Sequence, residues 1–340
     1  MAKEIRALIL VGGAIQLFLD DNQAYPLERS LEAIGVGLQA FRDELSAQHN
    51  FINTGTVCAG LLVCALNLLQ STSCTAQIQL LADLKHIPSA ISSLALSPEH
   101  HTPICRVLEF LGILDMTSFI LGRQAPSADI WKHLREAQDG WKEGRVKGVE
   151  ALTGMPMSLL DIFADIPYHD RESLEGRFWD WPGEIGRFVQ CQTWDCWRLA
   201  GILDVRRRKS NKKRNQYLTT TVYQEPESSI APSTDIVLGR LMAAIDAVLR
   251  GVKLPQNQNL LIGNALVYPL MMASLEVPLL QSYPCWKKLL DKVRSYVSQR
   301  SAFNLCRTGL ELLDEAWMTA SDSFDLDKAA RRKGVEVAIF

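Results

Sequence analysis

The sequence predicts an all-α protein, a large domain of roughly a dozen or more helices. Apolar residues recur at helical spacing in segment after segment, no alternating apolar–polar run of convincing length occurs, and nothing repeats at a fixed period. At 340 residues, with 47% hydrophobic and 22% charged side chains, the chain is globular and can bury a substantial core. Residues 1–340 read as a single domain. The formal net charge of −2 argues against a general electrostatic grip on nucleic acid or on an anionic membrane.

In chain order, the first helix is expected over residues 2–19. Its Gly12 and Gly13 mark close helix packing, because no further glycine and no Lys-Ser/Thr follows to complete a phosphate loop. The apolar run over 7–19 is shorter than a membrane span, and Asp20, Asp21 and Asn22 follow it instead of a small-residue cleavage site, so a buried helix is expected. A turn at 22–26 leads to an amphipathic helix over 27–45. Residues 51–69 carry Val57, Leu61, Leu62, Ala65, Leu66 and Leu69 with almost no charge, the pattern of a helix buried on most sides. A helix over 76–96 is broken near Pro88, and 104–121 is again apolar and helical. Residues 122–129, with Pro126, form a loop; a short helix over 129–138 and a charged run over 141–150 follow. Gly154 and Pro156 make a turn, after which Met157 or Ser158 starts a short apolar helix, and a loop over 167–172 leads to the aromatic centre of the chain.

That centre, residues 178–203, holds four of the eight tryptophans. Trp194 and Trp197 stand three apart, with Val189, Cys191, Leu199, Ala200 and Leu203 at helical offsets, so a largely buried helix opened by Pro182 is expected. Two readings fit it. The rings form a central packing post, or they line a ligand pocket.

From Arg206 the character changes. Arg206, Arg207, Arg208, Lys209, Lys212, Lys213 and Arg214 form a basic run, and a polar, Pro- and Ser-containing stretch carries on to Thr234. Residues 206–234 are therefore expected to be a disordered insertion within the domain. The run reads as a nuclear-import signal, as a phosphate contact, or as a solvated helix end whose cations match the helix dipole. Further helices are expected over 235–249, over 260–280 with interruptions at Pro269 and Pro278, over 285–299 and over 303–318, with a last amphipathic helix and tail over 325–340.

No catalytic motif is present. The eight cysteines contain no C-x-x-C pair, and Cys191 and Cys196 have no histidine beside them, so neither a metal nor a cofactor is expected and the thiols read as reduced. The six histidines are scattered without i, i+4 partners. Among the few polar groups in apolar surroundings, Asp195 has Arg198 and Arg187 as pairing options, and Glu276 is placed to face a cavity with Tyr268, to cap a helix or to bond between helices. Met271 and Met272 read either as gap fillers or as the lining of an adaptable site. The candidate ligand-binding set is therefore Trp194, Trp197, Tyr268, Met271, Met272 and Glu276. Asp314 and Glu315, beside Trp317, are expected to face solvent or a neighbouring helix.

Five tracts then carry a resemblance: LTGMPMSLLDIFADI at 152–166, FWDWPGEIGRFVQCQTWDCWRLAGIL at 178–203, NALVYPLMMASLEV at 264–277, LELLDEAW at 310–317 and the terminal RRKGVEVAIF. In this order and spacing they look like the regulatory domain of fungal binuclear zinc-cluster transcription factors. The resemblance implies an all-helical domain that regulates transcription in the nucleus, with some members binding small or sterol-like apolar molecules between helices. The zinc cluster itself needs six closely spaced cysteines that this chain lacks, so direct DNA binding does not carry over. Two functions follow. One is a regulatory protein of fungal, including secondary, metabolism that senses an apolar small molecule and acts through a protein partner, a transcription factor or a second copy of itself. The other is a domain turned to natural-product chemistry, a cyclisation or rearrangement, in the nucleus or the cytoplasm.

Overall fold

The computed structural model describes residues 9–15, 27–47, 58–64, 75–76, 78–79, 102–150, 153–217, 231–257, 260, 264–300, 305–319 and 324–340. The protein is all-α, as the apolar spacing predicts. None of the described helices is long and apolar enough to cross a membrane. The expected break near Pro88 and the middle of the polar insertion, residues 218–230, lie outside the described residues.

The chain divides into two compact units, Met1–Val146 with Gly334–Ala338, and Lys147–Lys333 with Ile339–Phe340. A chain of this length exceeds the size at which a single core keeps growing.

In the first unit, the helical residues 9–15 lie against α1 (Leu27–Ala47). Gly37 allows the approach, since a β-carbon there would lie 3.2 Å from the Val11 backbone. Ala14 and Ile34 form the seam between them. Helix α2 (Thr102–Asp115) buries Leu108, Leu111, Ile113 and Leu114 and packs on α3 (Ile130–Asp139), with Gly112 close to the Trp131 backbone. Asp115 ties the two helices together. Its carboxylate pairs with Arg123 at 3.0 Å and accepts from Ser127 Oγ and from the backbone N–H groups of Ala128 and Ile130. It thus caps the first turn of α3 from outside that helix, whose own N-cap, Asp129, makes no side-chain cap bond and sits at φ 54°.

The helix expected over 104–121 stops at Asp115, and Ile120–Leu121 form a short strand, β1. It pairs antiparallel with β2 (Val337–Ala338), where the C-terminal tail was expected. Two residues are too few for an alternating pattern to register in a sequence. Glu336, just before β2, is fully buried and accepts from Thr75 N–H, Thr75 Oγ1 and Gln124 N–H.

The second unit contains α4 (Met157–Ala164), α5 (Arg171–Asp180), α6 (Phe188–Tyr217), α7 (Thr234–Gly251), α8 (Val267–Ser274), α9 (Val277–Ser282), α10 (Pro284–Arg300), α11 (Leu305–Thr319) and α12 (Leu326–Lys333). Helix α5 falls partly where a loop was expected. Asp170 caps it by accepting from Ser173 N–H at 3.0 Å, and two of its three large apolar residues, Leu174 and Phe178, are buried. Pro182 does not open α6. Gly183 takes φ 87° and turns the chain, so the helix begins only at Phe188. The two prolines in the next apolar tract act differently. Pro269 sits in the first turn of α8, where a missing N–H costs nothing, whereas Pro278 lies in the first turn of α9 and marks a real break.

Helix α6 is the axis of this unit, 30 residues and about 45 Å long. Over its first half Val189, Trp194, Cys196, Trp197, Leu199, Ala200, Ile202, Leu203 and Val205 are buried, which covers nearly every side of the helix. Helix α7 runs antiparallel along it, with Val189 against Gly251 at one end and Arg206 bonded to Thr234 at the other.

Candidate functional site

The aromatic centre is built where α4, α5, α6 and α8 converge. Phe163 meets Phe178, Trp197 and Tyr268 edge to face, at centroid separations of 5.1, 5.8 and 5.5 Å. Trp197 and Tyr268 stack on each other. Gly201 makes room for this cluster, because a β-carbon there would lie 2.6 Å from the Phe178 ring. Each polar atom at the edge of the rings has a partner within the fold. Trp194 Nε1 donates to the Gly154 carbonyl at 2.8 Å, in the turn that Gly154 makes at φ 70°. Trp197 Nε1 donates to the Ala265 carbonyl, and Tyr268 donates to Asp204 at 3.2 Å. Burial and the adjoining Asp204 carboxylate hold the Tyr268 phenol well above its ordinary range, so it stays protonated.

Five of the six candidate ligand residues accordingly stand in the core, and Glu276 is half-buried. Trp194, Trp197, Tyr268, Met271 and Met272 are buried, and the packing reading of the tryptophan helix is the one their contacts express. Glu276 does not join Tyr268; it pairs with Arg207 at 3.2 Å. Asp195 pairs with Arg198, one turn along α6, at 2.9 Å.

The basic run also differs from its expectation. Helix α6 continues through it to Tyr217, so the start of the expected insertion is ordered helix. Three arginines explain why. Arg206 bonds Glu175, Thr234 and the Pro232 carbonyl; Arg207 bonds Glu276 and the Leu275 and Phe324 carbonyls; Arg208 pairs with Asp204 at 2.8 Å. Arg206 thereby ties α5 and α7 to α6, and Arg207 ties the α8–α9 turn to it, while the Arg208 pair lies within α6 itself. Lys209, Lys212, Lys213 and Arg214 continue the helix, and their side chains lie outside the described residues.

A pocket of about 180 Å³ opens elsewhere in this unit, between α8, α10 and α11. Buried Leu270, Leu290 and Leu313 give it an apolar floor, and Trp317 forms a wall, fixed by its Nε1 bond to the Ser274 carbonyl at 3.1 Å. Ser274, Lys287, Asp291, Arg294 and Asp314 complete the lining. Their charges are matched: Lys287 pairs with Asp291, Arg294 holds Asp314 through two bonds, and the Lys287 ammonium lies 5.0 Å over the Trp317 ring. The Arg294 hydrogen bond and charge keep the Asp314 carboxyl below its ordinary range, so the pair is charged at neutral pH.

Asp314 and Trp317 are neighbours in the sequence, but most of the pocket comes from two other helices. The Lys287–Asp291 pair is visible at i, i+4, whereas Arg294 and Asp314 meet only once α10 and α11 lie side by side. Among the described residues no group of three or more His, Cys, Asp or Glu is placed to hold a metal ion. Set against family models, curated proteins and solved structures, the chain matches none of them.

Proposed function

We propose that the chain is a non-catalytic regulatory module that binds a small apolar molecule and passes its bound state to a protein partner. The resemblance of its five tracts to zinc-cluster regulatory domains supports the regulatory half of this reading. The observation that carries it is the division of roles in the second unit. The aromatic centre is packed as core with its polar atoms tied into the fold, while the pocket beside Trp317 pairs an apolar floor with mutually neutralised charges. Acid–base catalysis needs a group poised to exchange a proton with a reacting atom; here Asp314 is locked to Arg294 and Tyr268 to Asp204.

The pocket sets the size of the ligand. Its volume of about 180 Å³ is close to the ~150 Å³ that holds a benzene ring, so a single-ring molecule fits and a sterol-sized one does not. In this reading Arg206, Arg207 and Arg208 serve the fold, and nuclear entry rests on residues 209–214 or on the partner. The test is native mass spectrometry of the purified protein and of Ser274→Leu, which places a larger apolar side chain in the pocket. A single-ring ligand held by the wild type, absent from the variant and recovered unchanged supports the proposal. Conversion of the bound molecule replaces it with the cyclisation or rearrangement reading.

A further inference from the structure

We propose that Trp179, Arg198 and Arg240 form a second binding site, one for an oxyanion, the phosphate or carboxylate group of a small molecule, on the seam between α6 and α7. The antiparallel packing of these helices sets Arg198 opposite Arg240. Trp179, at the end of α5, lies across both, with the Arg240 Cζ 5.6 Å and the Arg198 Cζ 6.0 Å from its ring centroid. Two guanidinium groups are thus gathered on one indole, an arrangement that their mutual repulsion opposes.

One of the two charges is neutralised, by Asp195 at 2.9 Å from Arg198. The other is not. One turn from Arg240 along α7 stand Ile236, Val237, Ala243 and Ala244, and Arg240 makes no ion pair among the described residues. A separate observation points the same way. Trp179 Nε1 and Arg198 Nε are both sealed from solvent, and neither donates a hydrogen bond to a described group. Buried donors without acceptors are rare in folded proteins, and here two of them belong to one cluster. Arg240 is exposed, so its planar fork of donors opens the cluster to solvent.

The complement of two orphaned donors and an unmatched guanidinium is a group that only accepts and carries negative charge. Carboxylate and phosphate both match the arginine fork. A water molecule would satisfy a donor but leave the charge of Arg240 unmatched.

The experiment follows the indole N–H resonances of the full-length, ¹⁵N-labelled protein. Inorganic phosphate and acetate are titrated separately, at constant ionic strength balanced with chloride. Trp179→Phe identifies the Trp179 signal, and Arg240→Gln, at an exposed position, identifies it independently by altering the ring's surroundings. The Trp179 resonance is expected to move and saturate, with Arg240→Gln weakening binding about tenfold or more. A stronger response to phosphate assigns the site to phosphate groups, and a stronger response to acetate assigns it to carboxylates. A resonance unmoved by either anion, or moved equally in Arg240→Gln, overturns the proposal and leaves bound water as the acceptor.

Discussion

Trp197 and Tyr268 stack with ring centroids 5.0 Å apart and planes inclined by 27°, joining α6 to α8 at the middle of the second unit. Their polar atoms reach in different directions, the indole to Ala265 and the phenol to Asp204. Trp197→Ala removes a fully buried ring and its contacts with Phe163 and Tyr268, and is expected to cost about 3–5 kcal/mol. Tyr268→Phe keeps the stack and removes one hydrogen bond, at about 1–2 kcal/mol. Urea unfolding of the two variants checks both the values and their order.

Gly201 lies in the middle of a helix, where alanine would ordinarily gain about 1 kcal/mol. Here the added methyl would press on Phe178 at 2.6 Å and on Phe163 at 3.2 Å, both buried rings with little room to move. Gly201→Ala is therefore expected to destabilise the protein by about 1–3 kcal/mol. A midpoint equal to or above that of the wild type would refute this packing.

Glu175 supplies a pH dependence. Burial pushes its carboxyl up, but the hydrogen bond and charge of Arg206, with Arg171 behind, outweigh that and hold it below the ordinary glutamate range. A carboxylate depressed in the folded state contributes stability that is present above its unfolded value of about 4.3 and is lost as pH falls through the folded value. Glu175→Gln leaves the largely enclosed Arg206 without its counter-charge and is expected to cost about 3 kcal/mol at pH 7. The gap between variant and wild type is expected to narrow in chemical unfolding series taken from pH 5 towards pH 3.

Asp115 also pairs with an arginine, in the first unit, but there burial prevails and pushes the carboxyl above its ordinary range. Asp115→Ala strands Arg123, whose side chain is 6% exposed, and uncaps α3, with an expected cost of about 3–5 kcal/mol. Hydrogen exchange would show the loss first in residues 123–134.

The helices were legible because burial follows their own periodicity. The aromatic segment over 178–203 shows this most clearly, since its apolar offsets predict the buried positions Val189, Trp194, Trp197 and Leu203. What sequence did not reveal depends on partners far along the chain. Arg206 and Arg207 look like part of a solvated basic run until Glu175 and Glu276 are brought beside them, whereas the Arg208–Asp204 pair is visible at i, i+4, and the expected insertion accordingly starts as helix. For Glu276 the sequence offers a cavity, a cap or an interhelix bond, and only the fold, by bringing Arg207 to it, selects the bond between helices. The pocket was missed because α8, α10 and α11 contribute its lining from separate stretches, and the tryptophan that shapes it, Trp317, lies outside the tryptophan-rich segment.

The most direct test of the regulatory reading is to incubate the purified protein with the molecule that co-purifies with it and to weigh both by native mass spectrometry. A single-ring ligand bound by the wild type, absent from Ser274→Leu and unchanged in mass after incubation is the expected result. A ligand consumed during incubation, with a product released, would contradict a non-catalytic module and establish an enzyme.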